Sequence, residues 1–300
     1  MSLKMYLPFR LQAAAALGAA ALAAGLFGSA APAGAAVLGA SAEAYGLDVD
    51  LNVDAGLVNV GVGIGPLPSG VNASSGSPFQ DDASVVLADV DLDASALIAS
   101  SVTAEAVNAA IESNVDGLPG SRTVSATGGV LNLDLDVGLL PTNILGTTLT
   151  VVGIDGTLVS EASITGDYGS LSASGSSTIT DLGLTLNGTV VDLAGLGLDA
   201  TVLANPAPNT TVALNVAGLA GATLILNEQI VAPDQSSITV NAFRLSLGVL
   251  GEVDGNSVVG GDIVIGHSEV AVSAVPEPAS VTAGLAAGLL VLTRRRRSAL

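Results

Sequence analysis

Aspartate side chains are the residues of this chain whose spacing could do chemistry. Five of them lie in one short segment: Asp81, Asp82, Asp89, Asp91 and Asp93. Because Ca²⁺ is bound by carboxylate and carbonyl oxygens, this group is the candidate metal site. Other types of metal ligand are scarce, since the chain has one histidine and no cysteine. We therefore expect no obligatory cofactor, with weakly bound calcium as the alternative.

A second acidic segment imitates the start of a calcium-binding loop at Asp48, Asp50 and Asp54. Such a loop needs glycine at its sixth position for a sharp turn and glutamate at its twelfth. Val53 and Asn59 occupy these positions instead. The alternation of apolar and polar residues predicts a strand with a solvated acidic face.

His267 is the only histidine, so most hydrolytic sites would depend on it. Ser268 is its neighbour in sequence and not a nucleophile arranged in space, and no Gly-x-Ser-x-Gly segment is present. A zinc site would have to combine this one imidazole with carboxylates. Paired carboxylates could serve a glycosidase, but the chain lacks tryptophan and has few other aromatic residues to hold sugar rings. We expect a structural histidine and no enzyme activity.

Strands must position these residues. Apolar and polar residues alternate strictly in 47–54 and 131–137 and less strictly in 86–92, with clusters of Gly, Ser, Asn and Pro between such runs. This pattern predicts an all-β fold of many short strands, a β-sandwich of the jelly-roll kind. A β-solenoid is the alternative, although no repeat has a fixed period. Residues 94–113 mix helix formers with β-branched residues and leave a short helix open.

The chain is strongly acidic once its ends are set apart. Six of the eight basic residues lie in the terminal segments 1–36 and 274–300. The segment 37–273 keeps Arg122 and Arg244 against 26 acidic residues, a net charge of −24. Phosphate binding needs a basic surface, so nucleic acid is excluded as a partner and anionic lipid is disfavoured. Such a surface favours cations or a hydrated polymer matrix.

Residues 1–36 have the order of a secretory signal peptide. Lys4 and Arg10 form a positive start, an apolar run follows at 11–27, and small residues come after it. We expect export of the chain and cleavage near residue 35 or 36.

Residues 274–300 contain three parts in a fixed order. They are a rigid motif (Pro276, Glu277 and Pro278), an apolar run (279–293) and a basic stop (Arg294, Arg295, Arg296 and Arg297). The prolines keep the motif extended, and the apolar run is expected to enter the membrane as one transmembrane helix. Four guanidinium groups cannot follow it across, so the preceding domain is left outside. The run is shorter than the about 20 residues of a stable span, which favours a transient handle.

This three-part order resembles the PEP-CTERM sorting signal. The resemblance implies an exosortase-type membrane enzyme that reads Pro276, Glu277 and Pro278 and cleaves near them. It also implies a transient stage at the inner membrane of a bacterium. The segment 205–269, with its runs ATLILNEQ and GDIVIGHS, resembles the choice-of-anchor P family. That second resemblance implies a surface domain and carries over no catalytic residues.

These features predict an exported structural protein of the bacterial cell surface or exopolysaccharide matrix, sorted and cleaved through its C-terminal motif. Its expected partners are the sorting enzyme and extracellular polysaccharide. The alternative is a calcium-dependent adhesin or binding module that uses the acidic strand faces. A secreted hydrolase is a third class, for which the sequence contains no triad or metal motif.

Overall fold

A computed structural model describes most of the chain between residues 36 and 275. The described ranges are 36–54, 59–69, 71–91, 98–139, 149–167, 169–186, 188–214, 219–253 and 256–275. Almost all of the expected signal peptide, and all of the expected sorting motif, transmembrane helix and basic stop, lie outside these ranges. Within them, no helix is long and apolar enough to cross a membrane.

The described residues are nearly all β-strand. In chain order the strands are β1 (Ala36–Asp54), β2 (Asn59–Leu67), β3 (Asn72–Ser75), β4 (Phe79–Asp91), β5 (Ile98–Ser113), β6 (Arg122–Leu139), β7 (Leu149–Gly166), β8 (Ser172–Leu186), β9 (Thr189–Val190), β10 (Thr210–Leu214), β11 (Leu219–Val231), β12 (Ser237–Val253) and β13 (Asn256–Val275). One short helix, α1 (Ala200–Ala204), begins at Asp199, whose carboxylate accepts hydrogen bonds from two backbone N–H groups. The all-β prediction is confirmed.

The strands form two sheets. Sheet A has the order β10-β11-β12-β13-β1-β2, with β3 also paired to β1, and sheet B runs from β4 to β9 in chain order. Neighbouring strands are therefore consecutive in sequence, apart from the pairs β13–β1 and β1–β3. A jelly roll instead places non-consecutive strands side by side in two Greek keys. The observed order of successive hairpins differs from the jelly-roll expectation.

The strands are also longer than expected, since β1 has 19 residues and β13 has 20. Residues 98–113, where a helix was left open, form the strand β5. Val102, Val107 and Ile111 of β5 are buried. Their branched side chains pack well on a pleated surface, so packing against the other sheet outweighs the local helix propensity.

β-Bulges change the direction of the side chains part-way along several strands. In β6 the buried side chains change from even to odd positions at Asn132, whose φ is 49°. In β8 the change occurs at Asp181, whose φ is 55°. In β1 it falls between Ala44 and Leu47. An extra residue in a bulge shifts the alternation by one, so apolar residues face the core on both sides of it.

The core between the two sheets has two parts. The larger is rich in leucine and includes Leu51 of β1 and Leu135 of β6. The smaller consists mainly of alanine and valine and includes Ala42 of β1 and Val124 of β6. Because the same two strands contribute to both parts from opposite sheets, the sheets pack face to face as a β-sandwich. Residues 36–274 form one compact unit.

Between the two parts of the core, the sheets touch backbone to backbone. Gly128 of β6 lies where a Cβ atom would overlap the carbonyl oxygens of Tyr45 in β1 and His267 in β13. Sheets usually lie about 10 Å apart, with side chains filling the space between them. Only glycine permits this closer approach.

β1 and β13 lie side by side and run in opposite directions. The Ser273 hydroxyl donates to the Gly39 carbonyl at 3.4 Å, whereas Gly261 lies against the backbone of Asp50. The start of β1 and the end of β13 are therefore neighbours at one end of sheet A, which we call the terminal end. The opposite end of these two strands, at residues 54 and 256, is the far end.

Candidate functional site

A row of polar side chains crosses the outer face of sheet A near the bulges. Its members, here called the polar row, are Tyr45 of β1, His267 of β13, Asn241 and Arg244 of β12, and Glu228 of β11. Contacts link these side chains from one strand to the next. The row contains the only histidine of the chain.

The centre of the polar row is His267, whose exposed fraction is 9%. Its ring stacks on the ring of Tyr45, with centroids 4.3 Å apart and an angle of 10° between the planes. Its Nδ1 atom lies 2.7 Å from Asn241 Oδ1. The amide nitrogen of Asn241 donates to Glu228 Oε2 at 2.6 Å, so its oxygen must accept from His267. This arrangement places the imidazole proton on Nδ1.

Burial sets the protonation of the stacked pair. It lowers the pKa of His267 to about 4, so the imidazole is neutral at pH 7. Burial also raises the pKa of Tyr45, and the nearby charge of Asp48 raises it further. A neutral imidazole stacked on a neutral phenol joins strands β1 and β13 without placing a buried charge between them.

At the other end of the polar row, the positive charge of Arg244 compensates the negative charge of Glu228. Its guanidinium lies 3.1 Å from Glu228 Oε1 and 3.5 Å from Asp262 Oδ2. Glu228 is only 9% exposed, and its second oxygen accepts from Asn241. Buried charges are tolerated when they are paired and hydrogen-bonded, and both conditions hold here.

Ser268 is on the opposite side of β13 from His267. Its hydroxyl donates to the carbonyl oxygen of Ser160 in β7 at 3.1 Å, and the two hydroxyl oxygens are 2.7 Å apart. Both serines are fully buried between the sheets. The pair joins sheet A to sheet B beside Gly128 and has no nucleophile–base geometry with His267.

The expected calcium ligands do not form a described site. Asp81 and Asp82 are exposed and adjacent on β4, so their side chains leave the strand in opposite directions. Asp89 and Asp91 are also in β4, and Asp93 lies outside the described residues. Within the described ranges, no three or more carboxylate, histidine or cysteine side chains are placed to hold a metal ion. The calcium site stays a prediction.

An acidic strand face is present on sheet B. Asp134 and Asp136 of β6 are exposed between buried apolar residues, as the alternation in 131–137 predicts. Asp134 lies directly opposite Asp155 of β7. Burial raises the pKa of Asp136, and the charges of Asp134 and Asp155 add to the effect. Like charges facing each other across two strands are destabilising.

The sequence pointed to only one member of the polar row. His267 stands out because it is unique, whereas Tyr45, Asn241, Glu228 and Arg244 carry no motif. These residues come together only because their strands are neighbours in the sheet. The alternation of apolar and polar residues along one strand does not predict which strands are neighbours. The expected sorting residues Pro276, Glu277 and Pro278 and the arginines 294–297 lie outside the described residues and stay predictions.

Comparison with protein-family models, with curated proteins and with solved structures finds no match for this chain. The two resemblances drawn from the sequence therefore remain expectations.

Proposed function

We propose that this chain is an exported structural protein of a bacterial cell surface or exopolysaccharide matrix, delivered through its C-terminal segment. The observation that carries the proposal is the pairing of β1 with β13. Because these strands are antiparallel neighbours, residues 36 and 275 both lie at the terminal end of sheet A. A domain attached through residues 276–300 would present its far end and both outer faces to its surroundings.

The sorting step would use residues directly after the folded domain. β13 ends at Val275, and the motif Pro276, Glu277 and Pro278 follows at once. Proline has no N–H to donate to a strand ladder, so the motif favours an end to pairing there. An exosortase-type enzyme would read this motif while the run 279–293 is held in the inner membrane and the arginines 294–297 stay on the cytoplasmic side.

The acidic surface of the domain would suit a hydrated polymer matrix. The strong negative charge of residues 37–273 keeps copies apart and retains water and counterions. A shallow groove of about 230 Å³ beside the polar row offers hydroxyl, amide and carboxylate groups to an extended polysaccharide. It is lined by Ser41, Glu43, Asn72, Ser74 and Glu269, together with Ala42 and Ala73. No catalytic residue is part of this proposal.

The test is the intact mass of the protein recovered from its native cells, measured in each cell fraction. A mass that ends near Pro276–Pro278, in a surface or medium fraction, is the expected result. A variant with the arginines 294–297 changed to alanine should accumulate unprocessed. A wild-type mass that still includes Leu300, in the membrane fraction, would contradict the processing step.

A calcium-dependent binding module is the second candidate. It is favoured by the facing pair Asp134 and Asp155, whose repulsion a bound cation would relieve. A specific site raises the melting midpoint steadily with metal concentration, because the metal binds only the native state. Magnesium at equal ionic strength is the control, since screening alone acts equally for both ions.

A further inference from the structure

β13 is tied to three other strands at two adjacent residues. His267 contacts β12 through Asn241, at 2.7 Å, and β1 through the stacked ring of Tyr45. Ser268 contacts β7 of the opposite sheet through Ser160, with the two hydroxyl oxygens 2.7 Å apart. All of these contacts are buried or nearly so. The strand that leads to the C-terminal segment is therefore also the strand held from three directions.

Backbone pairing flanks β13 along most of its length. With β12 it pairs from Ala271, opposite Ser237, to Asn256, opposite Val253. β1 lies along its other side, from the Gly39 contact to the Asp50 contact. A force that pulls the C-terminal end of β13 outward along the strand axis shears β13 against both neighbours, β12 and β1. Many hydrogen bonds then share the load and must break together.

A pull in another direction meets much less resistance. If the start of β1 and the end of β13 are drawn apart at the terminal end, the two strands separate one pair at a time. Each hydrogen bond then bears the whole load in turn. The same strands thus resist sliding far better than they resist separation.

Sliding of β13 is also blocked at Gly266. This residue has φ of 65°, and a Cβ atom there would lie 3.0 Å from Ala242 Cβ and 3.3 Å from Gly128 O and Ser160 N. A shift of one residue toward the terminal end would bring Ile265 into that space. The same shift would turn every side chain of β13 to the wrong face.

We propose that β13 is a load-bearing strand, and that the contacts of His267 and Ser268 hold its register when the C-terminal segment is pulled. The inference rests on the proposed function in one respect: the C-terminal segment would apply the load while it is still held in the membrane, before cleavage near Pro276–Pro278. It adds a mechanical role for the polar row and for the close approach at Gly128.

Single-molecule pulling on the full chain in mild detergent tests this proposal. The chain has no cysteine, so two introduced cysteines define the direction of force. Asn52→Cys with Ser273→Cys loads β1 and β13 in the sliding direction, and Leu38→Cys with Ser273→Cys separates them at the terminal end. All three positions are exposed. At one fixed load, we expect the first pair to survive at least about tenfold longer, equivalent to 1.4 kcal/mol of barrier.

Side-chain variants test the two contacts. Ser268→Ala should shorten the lifetime about tenfold in the sliding direction and leave it nearly unchanged in the separating direction. The matched control is Ser163→Ala, which removes an exposed hydroxyl pair with Ser174 between β7 and β8, at 2.8 Å. His267→Gln serves as an independent variant, because its amide can still bond Asn241 while the stacking on Tyr45 is lost.

Equal lifetimes in the two directions would overturn the proposal. An effect of Ser163→Ala as large as that of Ser268→Ala would also overturn it. The comparison of directions uses the wild-type core, so its outcome does not depend on the stability of the side-chain variants. Failure of the proposed function is seen separately, in the intact mass from cells, and leaves the pulling result unaffected.

Discussion

The ring of Tyr45 lies flat against the ring of His267, and the backbone carbonyls of the same two residues face Gly128 of the opposite sheet. One pair of residues therefore joins β1 to β13 on the outer face and brings sheet A against sheet B on the inner face. This double contact accounts for the division of the core into a leucine-rich part and an alanine–valine part.

Gly128→Ala should destabilise the domain by about 1–3 kcal/mol or more, because its Cβ atom would overlap two backbone carbonyls that cannot move aside cheaply. The measurement is the urea midpoint of unfolding. Gly65→Ala is the control: this glycine of β2 has no heavy atom within 4 Å of the Cβ position. The control should change stability by no more than about 0.5 kcal/mol. Equal effects would mean that the sheets are not in close contact at Gly128.

The stability of the domain should fall between pH 6.5 and pH 4 through His267. Its pKa is lowered to about 4 by burial, so over this range the unfolded chain binds a proton that the folded domain does not. Above pH 6.5 neither state binds it, and below pH 4 both do. The total loss is about 3 kcal/mol at 1.36 kcal/mol per pKa unit.

The difference between wild type and His267→Gln in urea unfolding, taken at several pH values, isolates this contribution. The comparison is needed because burial raises the pKa of Asp48 and of Asp136. Those carboxyls bind protons more readily in the folded state and act in the opposite sense. A difference that stays constant from pH 7 to pH 4 would show that His267 titrates normally.

Arg244→Met should destabilise the domain by about 1–3 kcal/mol, because it leaves the nearly buried carboxylate of Glu228 without its cation. Arg122→Met is the matched control, since its partner Asp116, 2.7 Å away, is a more exposed carboxylate than Glu228. An ion pair with so exposed a carboxylate is screened by water and contributes little to stability. The double variant Arg244→Met with Glu228→Gln should recover part of the loss; no recovery would contradict a charge-based explanation.

Asp134→Asn should stabilise the domain by about 0.2–1 kcal/mol, because it removes the repulsion with Asp155 on the next strand. The gain should shrink in 1 M salt, where the screening length is about 3 Å. Glu161→Gln on β7 is the control, because this exposed carboxylate lies opposite Thr127 and Ser176 and faces no like charge. If calcium raises the melting midpoint of wild type but not of Asp134→Asn, the cation-binding alternative is supported instead.

Local patterns predicted the strands well and their arrangement poorly. The alternation in 131–137 placed Asp134 and Asp136 on one face, because side-chain direction depends only on the pleat of a single strand. The opposing Asp155 could not be predicted, since its position depends on strand register after a bulge. Residues 98–113 looked partly helical because local propensity ignores the opposite sheet, which buries Val107 and Ile111.

The polar row was out of reach for a related reason. Tyr45 and His267 meet because the first and last strands are neighbours, and nothing near either residue signals that pairing. Gly128 looks like an ordinary strand glycine in the sequence, yet its missing side chain sets the spacing of the two sheets. Features that arise from long-range pairing leave no periodic trace in the chain.

The order of the strands determines when each strand can pair during folding. Hairpins of sheet B can close as soon as each successive strand is available, because their partners are consecutive in sequence. β1 is different: it can pair early with β2 and β3 on one edge, but its other edge pairs with β13, the last strand of the domain. If the chain is exported N-terminus first, that edge of β1 stays unpaired until almost all of the remaining residues have crossed. Completion of the fold would then need the last residues of the domain, so under the proposed export a fully folded domain would mark a finished translocation.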